Sequence, residues 1–224
     1  MGILQLICKL MYYNLHTHNY TADKNVLEVV NRYPYEEADV PYFSTGIHPW
    51  YIQEDKIQQH LAIIEQRLAM PNCLALGECG LDKRIDIPLQ LQQTVFEKQL
   101  LLAKKYNKPV ILHLVAAYAE LIAITDAVKP GVPVIVHGFS KNREVAKQLL
   151  DKGFYLSFGK YLLRNEVLSE VLKYVPDDCF FLETDTIEEG IADVYNKAAV
   201  AKGVSVQTII EITQNNFKKV FSNG

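Results

Sequence analysis

Six residues of this chain have side chains of types able to bind divalent cations, and each stands at the end of a short apolar run: His16, His18, Glu78, His113, His137 and Asp185. A further histidine, His48, ends another such run. Imidazole nitrogens and carboxylate oxygens together suit zinc, manganese or iron-like divalent ions. His16 and His18 are two apart, and on a strand residues i and i+2 point the same way, so both can hold one ion. Four histidines and two carboxylates exceed what one tetrahedral ion uses. That surplus points to two ions, roughly 3.5–4 Å apart, that activate a water against an ester or phosphodiester. Asp185 suits both ligation and the removal of that water's proton.

Taken singly, each residue has a plainer reading. A His-x-His pair arises by chance, and a lone strand-end histidine such as His113 is more often a hydrogen-bonded structural group. Glu78 lies in Gly77-Glu78-Cys79-Gly80, where the glycines suggest a turn, and Asp185 suits the cap of a following helix. The metal reading rests on coincidence: six such residues end five different runs. His60, predicted in mid-helix, has no role in it.

These side chains can meet only if the runs that carry them are strands of one sheet opening on one face. The runs are Tyr12–His18, Val26–Asn31, Tyr42–His48, Cys73–Cys79, Pro109–His113, Val132–His137, Phe154–Phe158 and Cys179–Asp185. Most are apolar on both faces, as strands of a buried parallel sheet must be. Amphipathic stretches separate them: Gln53–Met70, Pro88–Tyr106, Ala116–Val128, Arg143–Lys152, Leu162–Tyr174 and Ile187–Lys202, with a last helical region that Ser205 caps. Proline at 88 suits a first helical position. Eight strands with about six helices predict an α/β fold, a (β/α)8 barrel of the TIM type. Only seven residues separate His18 from the second strand, and Arg32–Pro41 looks like loop, so the first two connections are abbreviated. An open doubly wound sheet is the alternative, but no glycine-rich phosphate loop follows any strand. In a barrel every strand end named above opens onto the face where such enzymes place their chemistry.

Composition agrees with one soluble domain over residues 1–224, since 49% of residues are hydrophobic and 22% charged. No apolar run reaches the ~18 residues of a membrane span. Residues 1–11 are apolar but broken by Lys9, and read as an N-terminal extension or a leading strand rather than a signal peptide. Four cysteines without a CxxC pair fit reduced thiols and a cytoplasmic setting. A net charge of −3 supplies no global basic field, so any nucleic-acid partner must be attracted by the ions or a local patch.

The motifs also carry a likeness. Asn14-Leu15-His16-Thr17-His18, Gly46-Ile47-His48-Pro49-Trp50 and Gly77-Glu78-Cys79-Gly80-Leu81-Asp82 resemble signatures of the TatD family of metal-dependent deoxyribonucleases, as do Leu112-His113, His137-Gly138-Phe139-Ser140 and Leu182-Glu183-Thr184-Asp185. The likeness runs in order from about Tyr13 to Phe221. It implies an amidohydrolase-like barrel, two divalent ions (zinc, manganese or magnesium) and hydrolysis of DNA, possibly single-stranded, without an obligate protein partner. By motif, His16, His18, Glu78, His113, His137 and Asp185 match the family's ligands, with Glu78 bridging. His48 matches a histidine that lines the substrate site, so Asp185, Glu78 and His48 are the catalytic candidates. Asn14, Asp82 and Glu183 fall in the surrounding shell.

This chain departs from the family in three places. Asn14 stands where the family usually has aspartate, and the segment from His18 to Tyr42 is shorter by about one helix–strand unit. The family's His-x-Arg reads His113-Leu114-Val115, which removes a guanidinium able to grip phosphate through two bonds. Lys83, Arg84, Lys160 and Arg164 are the basic residues that could replace it. Two other readings follow from these departures: a two-metal hydrolase of a small ester, amide or phosphoester, and a non-catalytic binding relative.

Overall fold

A computed structural model describes residues 11–221. The expected leading strand therefore lies outside the described residues, apart from Met11. Eight strands follow one another through the sheet in chain order, β1 to β8, which is the order of a (β/α)8 barrel. By contacts the described residues separate into two compact units, residues 11–29 with 137–221, and residues 30–136. Each is described in turn.

In the first unit, β1 (Tyr12–Thr17) is apolar on one face and carries His16 on the other. Its outward Tyr13 is pinned by a buried tyrosine: the Tyr13 N–H donates to Tyr195 Oη at 2.9 Å, and that hydroxyl donates back to the Tyr13 carbonyl at 3.0 Å. β7 (Tyr155–Phe158) and β8 (Phe180–Leu182) pair in parallel with Phe158 opposite Leu182. β8 is shorter than its sequence predicts, because regular pairing with β7 stops at Leu182. Asp185 instead sits beyond the strand with φ +54°, and its backbone bridges β1: its N–H donates to the His16 carbonyl at 2.9 Å and its carbonyl accepts from His18 N–H at 3.0 Å.

Helices cover these strands. Arg143–Asp151 begins under Asn142, whose side chain accepts from Val145 N–H. The predicted helix Leu162–Tyr174 is two helices, Lys160–Arg164 and Glu166–Tyr174, because Asn165 turns extended and caps the second by accepting from Val167 N–H. Ile191–Lys202 and Val206–Phe221 follow, with the Ser205 hydroxyl accepting from Thr208 N–H as a cap. Phe217 and Tyr195 are buried among the largest core side chains.

The second unit holds the end of β2 (Val26–Asn31) and β3 (Phe43–Thr45), β4 (Cys73–Asp82), β5 (Val110–Val115) and β6 (Val134–Val136), all parallel. Three helices, Ile57–Leu68, Leu89–Tyr106 and Tyr118–Val128, lie between them, and Pro88 is the cap residue just before the second rather than its first turn. The connections 18–25 and 32–42 carry no helix, as their length predicts. β4 does not turn at its glycines but runs ten residues, all buried. A Cβ on Gly77 would lie 2.4 Å from the Ile111 carbonyl oxygen, and one on Gly80 2.0 Å from that of His113. The glycines are there so that β4 can lie against β5, which also keeps Glu78 and Asp82 on one strand. Arg67 ties the loop after β2 in place by donating to the carbonyls of Tyr33 and Glu36.

Candidate metal centre

In the first unit His16, His18 and Asp185 offer ligand atoms that all lie within 4.8 Å of one another. Asp185 Oδ1 is 3.7 Å from His16 Nε2 and 3.5 Å from His18 Nε2. Metal–ligand bonds of ~2.0–2.2 Å separate neighbouring ligand atoms by roughly 3–3.6 Å, so this spacing fits an ion. The rings of His16 and His137 are 4.4 Å apart. Behind His137 lies the buried Glu183, whose Oε1 is 3.3 Å from His137 Nδ1 and accepts from Gly138 N–H at 2.7 Å. A proton held on Nδ1 by that carboxylate leaves Nε2 as the nitrogen that can ligate. Burial alone would raise the Glu183 carboxyl. The charge and hydrogen bond of His137, with His16 beyond, outweigh it and hold the carboxyl below its usual range. Gly159 permits this packing, since a Cβ there would lie 2.6 Å from the Glu183 carbonyl oxygen.

Asn14 reaches Thr184 rather than a histidine: its Nδ2 donates to Thr184 Oγ1 at 2.8 Å, and its Oδ1 accepts from Thr184 N–H at 3.0 Å. It thereby fixes the residue preceding Asp185.

In the second unit His48, Glu78 and His113 form another group of ligand atoms within 4.8 Å. Glu78 Oε1 is 3.0 Å from His113 Nδ1 and 3.1 Å from His48 Nε2. His48 Nδ1 accepts from Trp50 N–H at 3.1 Å, so in the neutral ring the proton sits on Nε2 and points at Glu78. That tautomer makes His48 a donor rather than a ligand. His113 Nε2 lies 3.4 Å from Asp82 Oδ2, which also accepts from the Trp50 indole N–H at 2.7 Å. Burial would raise the Asp82 carboxyl, but the bonds from Trp50, the Arg84 N–H and His113 prevail and lower it. The Glu78 N–H donates to Asn31 Oδ1 at 2.7 Å.

Several positioning residues escaped the sequence reading. Trp50 and Asn31 hold Asp82 and Glu78, as just described. Gln92 accepts from Asp82 N–H at 2.8 Å, and Gln99, one heptad on, accepts from Ile47 N–H at 2.7 Å. Both glutamines are buried on the apolar stripe of their helix, beside Val95, Phe96 and Leu100. Polar residues seven apart on a buried face were the signal for them, because buried amides must find partners. Of the basic residues, Lys83 pairs with Glu120 at 2.5 Å, and Arg164 pairs with Glu189 at 3.3 Å. His60 is buried in the helix after β3 and belongs to neither group.

Residues 10–222 match the family described as TatD related DNase. The chain belongs to that family. An uncharacterized metal-dependent hydrolase, YcfH, of Escherichia coli K12 is 34% identical over 202 residues, covering 83% of this chain and 75% of its own. A protein of Edwardsiella piscicida named 3'-5' ssDNA/RNA exonuclease TatD is 31% identical, covering 75% of this chain and 64% of its own. Among solved structures, the TatD homologue YjjV of Escherichia coli K12 has a TM-score of 0.80 at 21% identity, covering 96% of this chain and 99% of its own. An uncharacterized amidohydrolase of Saccharomyces cerevisiae has a TM-score of 0.77 at 15% identity, with 95% and 100% covered. These last two share the barrel. As a member of the TatD family the chain is a metal-dependent hydrolase, with clustered histidines and carboxylates able to hold the ions.

Proposed function

We propose that this chain is a nuclease that hydrolyses phosphodiester bonds of single-stranded DNA with two divalent ions. The observation that carries the reading is the ion-sized spacing between imidazole and carboxylate, 3.5–3.7 Å around Asp185 and 3.0 Å between His113 and Glu78. The Edwardsiella relative's name adds the substrate class. The ligands assigned are His16, His18, Glu78, His113, His137 and Asp185.

Bound divalent ions supply Lewis acidity and lower the pKa of water, which is what attack on a phosphodiester requires at neutral pH. The protein does the rest. Asp185 takes the proton of the attacking water as the new P–O bond forms, and the P–O bond to the leaving nucleotide breaks. His48, with its proton on Nε2, donates it to Glu78 at 3.1 Å and so orients that carboxylate. Glu183 and Asp82 hold His137 and His113 in their ligating orientations, and Asn14 holds the backbone before Asp185.

The test is cleavage of end-labelled single strands by metal-loaded protein, beside duplex DNA and a small uncharged ester. Cleavage of single strands, with about two ions bound per chain by elemental analysis, supports the reading. Turnover of the ester alone, or fewer than one ion per chain, overturns it.

A further inference from the structure

Three aromatic side chains beside the His48–Glu78–His113 group are left open to solvent: Tyr35 is 56% exposed, Trp50 52% and Tyr51 41%. They belong to one continuous series of rings. Trp50 meets His113 at 5.8 Å and His48 at 5.2 Å, both edge to face. Tyr51 lies 5.5 Å from His48 and 5.1 Å from Tyr33, and Tyr35 stacks on Tyr33 at 5.5 Å with 25° between planes. The series thus begins on a metal-ligand candidate and ends on the most exposed large aromatic of the set.

The series is anchored at Trp50 and at Tyr33. The Trp50 indole is tied by its N–H to Asp82 at 2.7 Å. Tyr33 is buried, and its N–H donates to Glu36 Oε2 at 2.8 Å while Arg67 holds its carbonyl. A packing role would have buried Tyr35, Trp50 and Tyr51. Exposed apolar surface next to a polar site instead marks a place where a ligand is received. A ring whose orientation is fixed beforehand, as that of Trp50 is, also loses little entropy when a flat partner settles on it.

We propose that Tyr35, Trp50 and Tyr51 form a stacking platform for the bases of a single-stranded nucleic acid. This deepens the nuclease reading and rests on it. Every base has a π face, so such a platform is tolerant of sequence. In a duplex the bases already stack on each other, so the platform selects single strands. Val115, in place of a phosphate-gripping arginine, and a net charge of −3 leave little side-chain attraction for the backbone. Stacking supplies affinity that does not depend on charge, and binding should weaken with salt less steeply than phosphate-gripping predicts.

Trp50 is the chain's single tryptophan, so its fluorescence reports on the platform alone. The experiment compares octathymidylate with an abasic strand of the same phosphate count, on metal-loaded protein, by rapid-mixing fluorescence and by KM for cleavage. Octathymidylate should quench Trp50 and the abasic strand should not, and the abasic KM should be at least about fivefold higher. Tyr35→Leu keeps apolar bulk without a π face and should bring the two KM values together, while Tyr35→Phe should restore the difference. Equal KM values in the parent protein, or a Tyr35→Leu variant that still discriminates, overturn the platform and leave the nuclease reading standing. Cleavage of neither strand overturns both.

Discussion

Asn14 and Thr184 hold each other through two hydrogen bonds, one from the Asn14 amide to the Thr184 hydroxyl and one from the Thr184 N–H to the Asn14 carbonyl oxygen. Both residues are buried. The asparagine that replaces the family's usual aspartate therefore satisfies a buried N–H next to Asp185.

Removing that partner strands a buried donor, so Asn14→Ala should lower unfolding free energy by about 1–3 kcal/mol. Asn14→Asp should cost less, since it keeps an acceptor for the Thr184 N–H and the threonine hydroxyl can turn to donate. Denaturant unfolding of the two variants checks this; equal losses would show that the Thr184 N–H bond is not what stabilises the segment.

Glu78→Gln and Asp185→Asn should each lower turnover by more than about a hundredfold, beyond what loss of a supporting residue costs a metal site. Neutral amides bind divalent ions poorly, while their size preserves packing, so unfolding should stay cooperative. Turnover and elemental analysis of each variant decide it. Near-normal rates in either would displace the chemistry from these carboxylates.

Val115 follows His113 by two residues on β5, and both are half-buried where Leu112 and Leu114 are buried, which puts them on one side of the strand. An arginine there can make two charge-assisted bonds to phosphate, each worth about 1.5–3 kcal/mol. Val115→Arg should therefore lower KM for single-stranded DNA at least about tenfold and steepen its salt dependence. An unchanged KM at unchanged metal content would mean that no phosphate passes this position.

His60 provides the pH test away from the metal ligands. Its burial, with the charge of Lys56 and against that of Asp55, lowers its pKa below the ordinary 6.5. The unfolded chain thus binds this proton more readily than the folded one. The contribution of neutral His60 is present above about pH 6.5 and is lost as pH falls through the depressed folded value. His60→Gln should flatten the fall in stability below pH 6.5, read from urea midpoints across that range. An unaltered slope would assign the acid sensitivity to other groups.

The alternation of apolar runs and amphipathic stretches was enough to read the barrel and its abbreviated first connections. These are local properties: a buried parallel strand must be apolar on both faces, and seven residues cannot form a crossover helix. Break points were less legible. Asn165 reads as an ordinary polar residue of a helix until its side chain is seen capping the next one.

The partners of the site residues were decided only by tertiary structure. Gly77 and Gly80 look like a turn in sequence, and it is the carbonyl oxygens of Ile111 and His113 on the neighbouring strand that demand glycine there. The His48 tautomer depends on where the Trp50 N–H points, and the hold on Asp82 depends on an indole 32 residues away in the chain. Which residues can ligate is a matter of side-chain chemistry, written along the sequence. Which nitrogen keeps its proton, and which ring stays open to solvent, follow from contacts between distant segments, and those exist only once the chain has folded.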